Sequence, residues 1–137
     1  MKIWKKLTIF LGAGAVSVPL AIMGLFIYAT HDMCGNEVYS EVLSPNREHK
    51  VVMFQRDCGA TTGFSTQISI LDSGDELENE SGNIYIIDGQ PKEVSPNARW
   101  ASNTELRIER SLNGSEYKAE SSWGLDEIKV TYVAGSS

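Results

Sequence analysis

The feature that most constrains this chain is a run of 24 residues without a charge, Leu7 to Thr30. As a helix rising about 1.5 Å per residue it is roughly 36 Å long, enough to cross a hydrocarbon core of about 30 Å with some tilt. Lys2, Lys5 and Lys6 precede it, so the positive-inside rule leaves the N-terminus in the cytoplasm and the rest of the chain outside. A cleaved secretory signal is the rival reading. Its apolar stretch runs only about 7–15 residues and ends in a small-x-small site, whereas Tyr28-Ala29-Thr30-His31-Asp32 makes a poor one. Asp32 and Met33 likewise differ from the small apolar residues that precede a lipidated cysteine, which argues against that role for Cys34. The expectation is a retained single-pass anchor over residues 1–30 and a periplasmic or extracellular domain over 31–137, with secretion after cleavage as the alternative. Ala13, Ser17 and Ala21 form a small-residue ridge that permits close helix packing in lipid, although Pro19 bends it.

All eighteen acidic residues follow residue 31, against nine of the twelve Lys and Arg, so residues 31–137 carry 9 − 18 = −9 formal charges. A surface that acidic repels phosphate backbones and disfavours nucleic acid. Both cysteines, Cys34 and Cys58, fall outside the membrane on this topology. An even pair in an oxidising compartment reads as a structural disulfide, and closing its loop of about 25 residues is worth roughly 3–4 kcal/mol in the chain-entropy model. A zinc site needs about four ligands. Only His31 and His49 could join the cysteines, at spacings that match no zinc pattern, so no metal and no cofactor is expected.

The domain reads as strands. Glu37–Leu43 alternates imperfectly, His49–Arg56 is β-branched and aromatic, and Ser44-Pro45-Asn46-Arg47-Glu48 turns between them. Gly59 and Gly63 bracket Ala60-Thr61-Thr62, and Phe64, Thr66, Ile68 and Ile70 then alternate with Ser65, Gln67, Ser69 and Leu71, which sends Phe64, Ile68 and Ile70 to the core. Asp72–Asn83 is an acidic loop without calcium-loop spacing, and it reads as a solvated connection. Ile84–Ile87 is a buried strand closed by Asp88-Gly89, residues 90–97 are irregular, and Glu105–Arg110 is a strand with one wet face. Residues 117–123 are ambiguous, and Glu127–Val133 is a last alternating strand. About seven strands without a soluble helix predict a single all-β domain, an antiparallel β-sandwich or small open barrel, behind one N-terminal transmembrane helix.

Ser44-Pro45-Asn46 followed by a strand and then Arg56-Asp57-Cys58-Gly59-Ala60-Thr61-Thr62-Gly63-Phe64-Ser65-Thr66-Gln67-Ile68-Ser69 resembles a family of uncharacterised bacterial membrane-anchored or exported proteins. Their pattern is SPDG…DCGATT-(aromatic)-STQ-(V/I)-S. The family has no assigned activity, so the likeness implies an envelope location but no mechanism. Asn46-Arg47 stands where the pattern has Asp-Gly.

Arg56, Asp57, Thr61, Thr62, Ser65 and Thr66 are the candidate binding residues, a polar loop able to hold an anion or a partner's backbone. The plainer reading is that these hydroxyls satisfy backbone groups in a tight turn. No catalytic residue is assigned, because no G-x-S-x-G elbow is present and two histidines with two cysteines specify nothing. Three functions remain open: an envelope module binding a protein partner through loop 56–66, an envelope enzyme or metal-dependent hydrolase near His49 and Asp57, and a small structural membrane protein acting through its helix. Trp100 and Trp123 are read as core rather than as ligand platforms.

Overall fold

The computed structural model describes residues 2–31, 33–59, 62–94 and 96–135; side chains within the first helix are described for residues 12–27. The chain divides into two compact units, residues 1–33 and 34–137. The first holds a single helix, α1 (Lys2–His31), with Pro19 inside it. The helix thus forms over the expected run. Among the described residues, however, no helix is long and apolar enough to cross a membrane.

The second unit is mostly β, with nine strands in two sheets among the described residues. The first sheet is built around β2 (His49–Asp57) and β3 (Phe64–Asp72), antiparallel over their full length from His49↔Asp72 to Asp57↔Phe64. β1 (Gly35–Leu43) lies outside β2, and β4 (Tyr85–Asp88) and β7 (Lys118–Ala119) lie beyond β3, in the order β1-β2-β3-β4-β7. The second sheet holds β5 (Asn97–Ser102), β6 (Glu105–Glu109), β8 (Ser122–Trp123) and β9 (Ile128–Tyr132), ordered β5-β6-β9-β8. One apolar core is shared by both sheets: Val51 and Met53, Ile68 and Ile70, Tyr85 and Ile87 from the first, Leu106, Ile108, Ile128 and Val130 from the second. The described residues form no closed barrel.

Five expectations need correction. The sheets are not wholly antiparallel, because β6 and β9 pair in parallel, Glu105↔Lys129 to Ile108↔Tyr132. The cause is a long excursion. After β6 the chain crosses to pair Tyr85↔Ala119 in the first sheet and returns as the hairpin β8–β9, which brings β9 alongside β6 in the same direction. The ambiguous stretch 117–123 is therefore two short strands in different sheets, and these raise the count from seven to nine. Residues 90–97 are not wholly irregular: α2 (Pro91–Val94) is one helical turn, with proline at its first position and Glu93 Oε2 accepting from Gln90 N at 3.3 Å. Phe64, expected in the core, is 39 % exposed, since it starts β3 beyond the reach of the second sheet.

The fifth concerns the acidic loop, which is not merely solvated. Val52 and Phe54, on the face of β2 opposite the shared core, are buried as well. Their cross-strand partners Ser69 and Gln67 hydrogen-bond the returning segment at Asn83 N and Gly82 N. Residues 78–83 thus close the outer face of the first sheet, and β2 is covered on both sides.

Candidate functional site

The disulfide Cys34–Cys58 forms, and it continues the β1–β2 register one step beyond Gly35↔Asp57, with the two Cα atoms 3.9 Å apart. It staples the open end of the hairpin. Beyond it Asp57 Oδ1 accepts from Gly59 N at 2.9 Å, and Thr62 donates from both N and Oγ1 to Gly59 O, at 3.3 and 3.2 Å. Gly59 takes φ 115° and Gly63 takes φ 69°, backbone shapes that a side chain would oppose. These bonds and the staple fix the end of the loop, and Thr62, Gly63 and Phe64 project from it exposed. Thr61 lies outside the described residues.

The other candidate residues are spent on the frame. Arg56 and Ser65 face each other on the outer side of the sheet. Arg56 Nη1 donates to Asn36 Oδ1 at 2.7 Å and Asn79 Oδ1 at 3.1 Å, while Asn36 Nδ2 donates to the carbonyls of Glu78 and Glu80. Ser65 Oγ accepts from Gln67 Nε2 at 2.8 Å, and Gln67 Oε1 accepts from Gly82 N at 2.6 Å. Thr66, fully buried on the opposite side, donates to Gly89 O at 2.8 Å. The structure thus brings Arg56 and Ser65 together, sets Thr66 on the other face and leaves Thr62 at the tip. Among the described residues, no single polar pocket gathers them. Asn36, Gln67, Asn79, Gly82 and Asn83, which sequence reasoning missed, complete the network that Arg56 begins. The only signal for them was the Gly-Asn pair just before a buried strand.

Two concavities flank this end. On the inner face, a cleft of about 300 Å³ opens between β1 and α2, lined by Glu37, Val38, Tyr39, Gln55, Pro91 and Lys92 among others. Gly89 N donates to Phe64 O at 3.0 Å, which ties the approach to α2 to the stapled end. On the outer face, a hollow of about 560 Å³ lies under the acidic segment, with Leu71 and Leu77 at its base and Asp75, Glu76, Glu78 and Glu80 around it. Among the described residues, no group of three or more His, Cys, Asp or Glu side chains is placed to hold a metal ion.

His49 and Asp57 sit at opposite ends of β2, about 26 Å apart along a nine-residue strand. His49 instead meets Asp72 Oδ1 at 3.4 Å and Glu127 Oε2 at 4.0 Å, edge-on to Trp123 with ring centroids 5.3 Å apart. This contact ties the hairpin end of the first sheet to the β8–β9 turn. In the core, burial raises the Tyr85 phenol, partly offset by the nearby Arg110 charge. Burial, helped by Tyr85 and Glu120, raises Tyr132, whose hydroxyl donates to Glu120 O at 2.8 Å. Comparison of the chain with protein-family models, curated proteins and solved structures found no match.

Proposed function

We propose that the chain is a membrane-tethered binding module of the bacterial envelope, of the kind whose pattern residues 44–69 resemble. The domain, a β-sandwich in this reading, meets a protein partner through loop 56–66. The observation that carries this is the contrast at the stapled end. Arg56, Ser65 and Thr66 are consumed by internal hydrogen bonds, while Thr62 and Phe64 stand exposed at the loop, and on β1 the exposed Val38 and Tyr39 line a cleft of about 300 Å³. A rigid frame presenting apolar and hydroxyl groups suits recognition, and loop residues on a fixed scaffold are the usual carriers of it. Support for the tether comes from α1, where Val16, Leu20, Ile22, Met23, Leu25 and Phe26 are all more than half exposed. A helix with apolar residues around its whole circumference needs lipid or protein to cover it. On this proposal the uncharged run 7–30 spans the bilayer with the N-terminus inside.

The test is photocrosslinking in native membranes from a probe at Thr62 or Phe64, with Leu125, 96 % exposed on the β8–β9 turn, as the control position. A discrete adduct from 62 or 64 and none from 125 is expected. Adducts confined to α1 positions such as Val16 or Leu20 would instead favour a protein acting through its helix.

A further inference from the structure

From the geometry of β1 we propose a partner class for this module: an extended, basic polypeptide segment that adds to the sheet at β1, alternating apolar residues with Lys or Arg. The inference rests on the binding-module reading above and makes it specific.

β1 is nine residues long and hydrogen-bonds to one neighbour only, so its other edge carries unpaired backbone donors and acceptors. Such an edge is a template for another strand unless it is short, covered or charged with lysine. β1 is long, carries no lysine, and is covered by Trp100 only at Val42 O. Val38, Tyr39, Val42 and Leu43 are 51, 57, 42 and 39 % exposed, and the strand's only charges are Glu37 and Glu41. At its far end Trp100 Nε1 donates to Val42 O at 3.0 Å, which marks where the open stretch finishes.

The two faces beside this edge differ, and the difference sets the pattern of the occupant. On the inner face lies the cleft, and the bulge between Val38 and Ser40 leaves Tyr39 unpaired at its wall, with Pro91 opposite. On the outer face Asn36 holds the carbonyls of Glu78 and Glu80, which brings the acidic segment to the start of β1. The cations on that side are engaged, Arg56 with Asn36 and Asn79, and Lys50 with Glu41 at 3.2 Å. A strand laid along β1 alternates its side chains between these faces. One set meets the cleft, whose lining includes Val38, Tyr39 and Pro91, so that set is apolar. The other set meets the acidic segment and is basic. Charge complementarity thus chooses the same partner that the net charge of −9 over residues 31–137 attracts at long range.

The experiment uses the full chain in nonionic detergent and a fluorescein-labelled peptide, Lys-Val-Lys-Val-Lys-Val-Lys, followed by anisotropy. Saturable binding is expected, weakened roughly tenfold between about 0.02 and 0.5 M salt. Replacing the lysines by glutamates, or the central valine by proline, should abolish it. Tyr39→Asp should weaken it about tenfold and the pair Glu78→Gln, Glu80→Gln roughly threefold, since each removes one face of the site. Hydrogen exchange should show new protection confined to β1. Absence of saturable binding, equal binding of the proline peptide, or protection at residues 75–83 without β1 would overturn the proposal. A β1-to-β1 dimer of the chain alone, seen by sedimentation, would overturn it too by giving the edge to a second copy. If crosslinking from Thr62 captures a partner while the peptide fails, only the partner class falls; if neither succeeds, the module reading falls with it.

Discussion

Gly82→Ala is the sharpest probe of how the outer face of the first sheet is closed. A Cβ at Gly82 would lie 2.9 Å from Ile68 O, 2.9 Å from Tyr85 O and 3.0 Å from Gln67 Cβ. The first two are backbone atoms of paired strands and cannot swing aside. Overpacking of this kind costs roughly 1–3 kcal/mol. Moving the residue also breaks the bonds from Gly82 N to Gln67 Oε1 and from Lys118 Nζ to Gly82 O, which adds about 1 kcal/mol. The expected loss is therefore about 2–4 kcal/mol, or a fall in melting temperature of roughly 10–25 °C for a domain of this size. Near-UV circular dichroism melts and urea titrations of the full chain in detergent measure it. Gly74→Ala is the internal control, because nothing lies within 4 Å of its Cβ position and its φ is outside the left-handed region. It should stay within about 0.5 kcal/mol of the parent or stabilise slightly. Equal stability of the two variants would refute the claim that residues 78–83 are packed against the sheet.

Three further outcomes follow from the same structure. Reducing Cys34–Cys58, or replacing both by serine, should lower the urea-derived stability by about 3–4 kcal/mol; an unchanged midpoint would mean that the hairpin is not held by its staple. Arg47 sits at φ 61°, where the resembled pattern has glycine. Relief of roughly 1–2 kcal/mol of left-handed strain outweighs glycine's extra unfolded freedom of about 0.5–1 kcal/mol. Arg47→Gly should therefore raise the urea midpoint, and a lower one would contradict the turn geometry. Burial raises both Tyr85 and Tyr132 in the folded chain, so the unfolded state ionises first. Their contribution is fully present below the ordinary tyrosine pKa of about 10 and is lost as pH rises above it. Urea midpoints should fall from pH 9 towards 11.5 (roughly one pKa range), less steeply in Tyr132→Phe, and a flat profile would count against the burial.

The strands that were legible in the sequence are those whose signal is local. The β1–β2 turn declares itself in Ser44-Pro45-Asn46, and the structure closes it with Arg47 N donating to Ser44 O at 2.9 Å. β3 declares itself by period, and Ile68 and Ile70, though not Phe64, do lie in the core. The disulfide was legible from an even pair of cysteines together with the expectation of an oxidising compartment. What stayed hidden depends on partners distant in sequence. Nothing near Asn83 shows that its side chain will accept from Ile70 N and donate to Ile70 O, as a paired strand residue would. Composition signals a loop at 72–83, and the chain there is indeed irregular, yet it packs. β7 and β8 were illegible for a related reason: a strand of two residues has no period, and its existence rests on pairs with distant strands or across a turn, Tyr85↔Ala119 and Ile86↔Lys118 for β7, Ser122↔Lys129 and Trp123↔Ile128 for β8.

That division bears on where function is to be sought. Polar residues that recur in a motif suggest a site, and Arg56, Ser65 and Thr66 invited that reading. A buried polar group costs free energy unless every partner is placed, so such a network specifies one arrangement of the backbone. Here the arrangement specified is the acidic segment drawn across the first sheet and anchored to Asn36 at the start of β1. The motif residues thus set the electrostatics of an edge they do not themselves line. On this reasoning a substitution of Arg56 and one of Tyr39 should both weaken a β1 partner, the first by releasing the acidic segment and the second by removing contact. Only the first should also lower stability, because Tyr39 is exposed and Arg56 is not free.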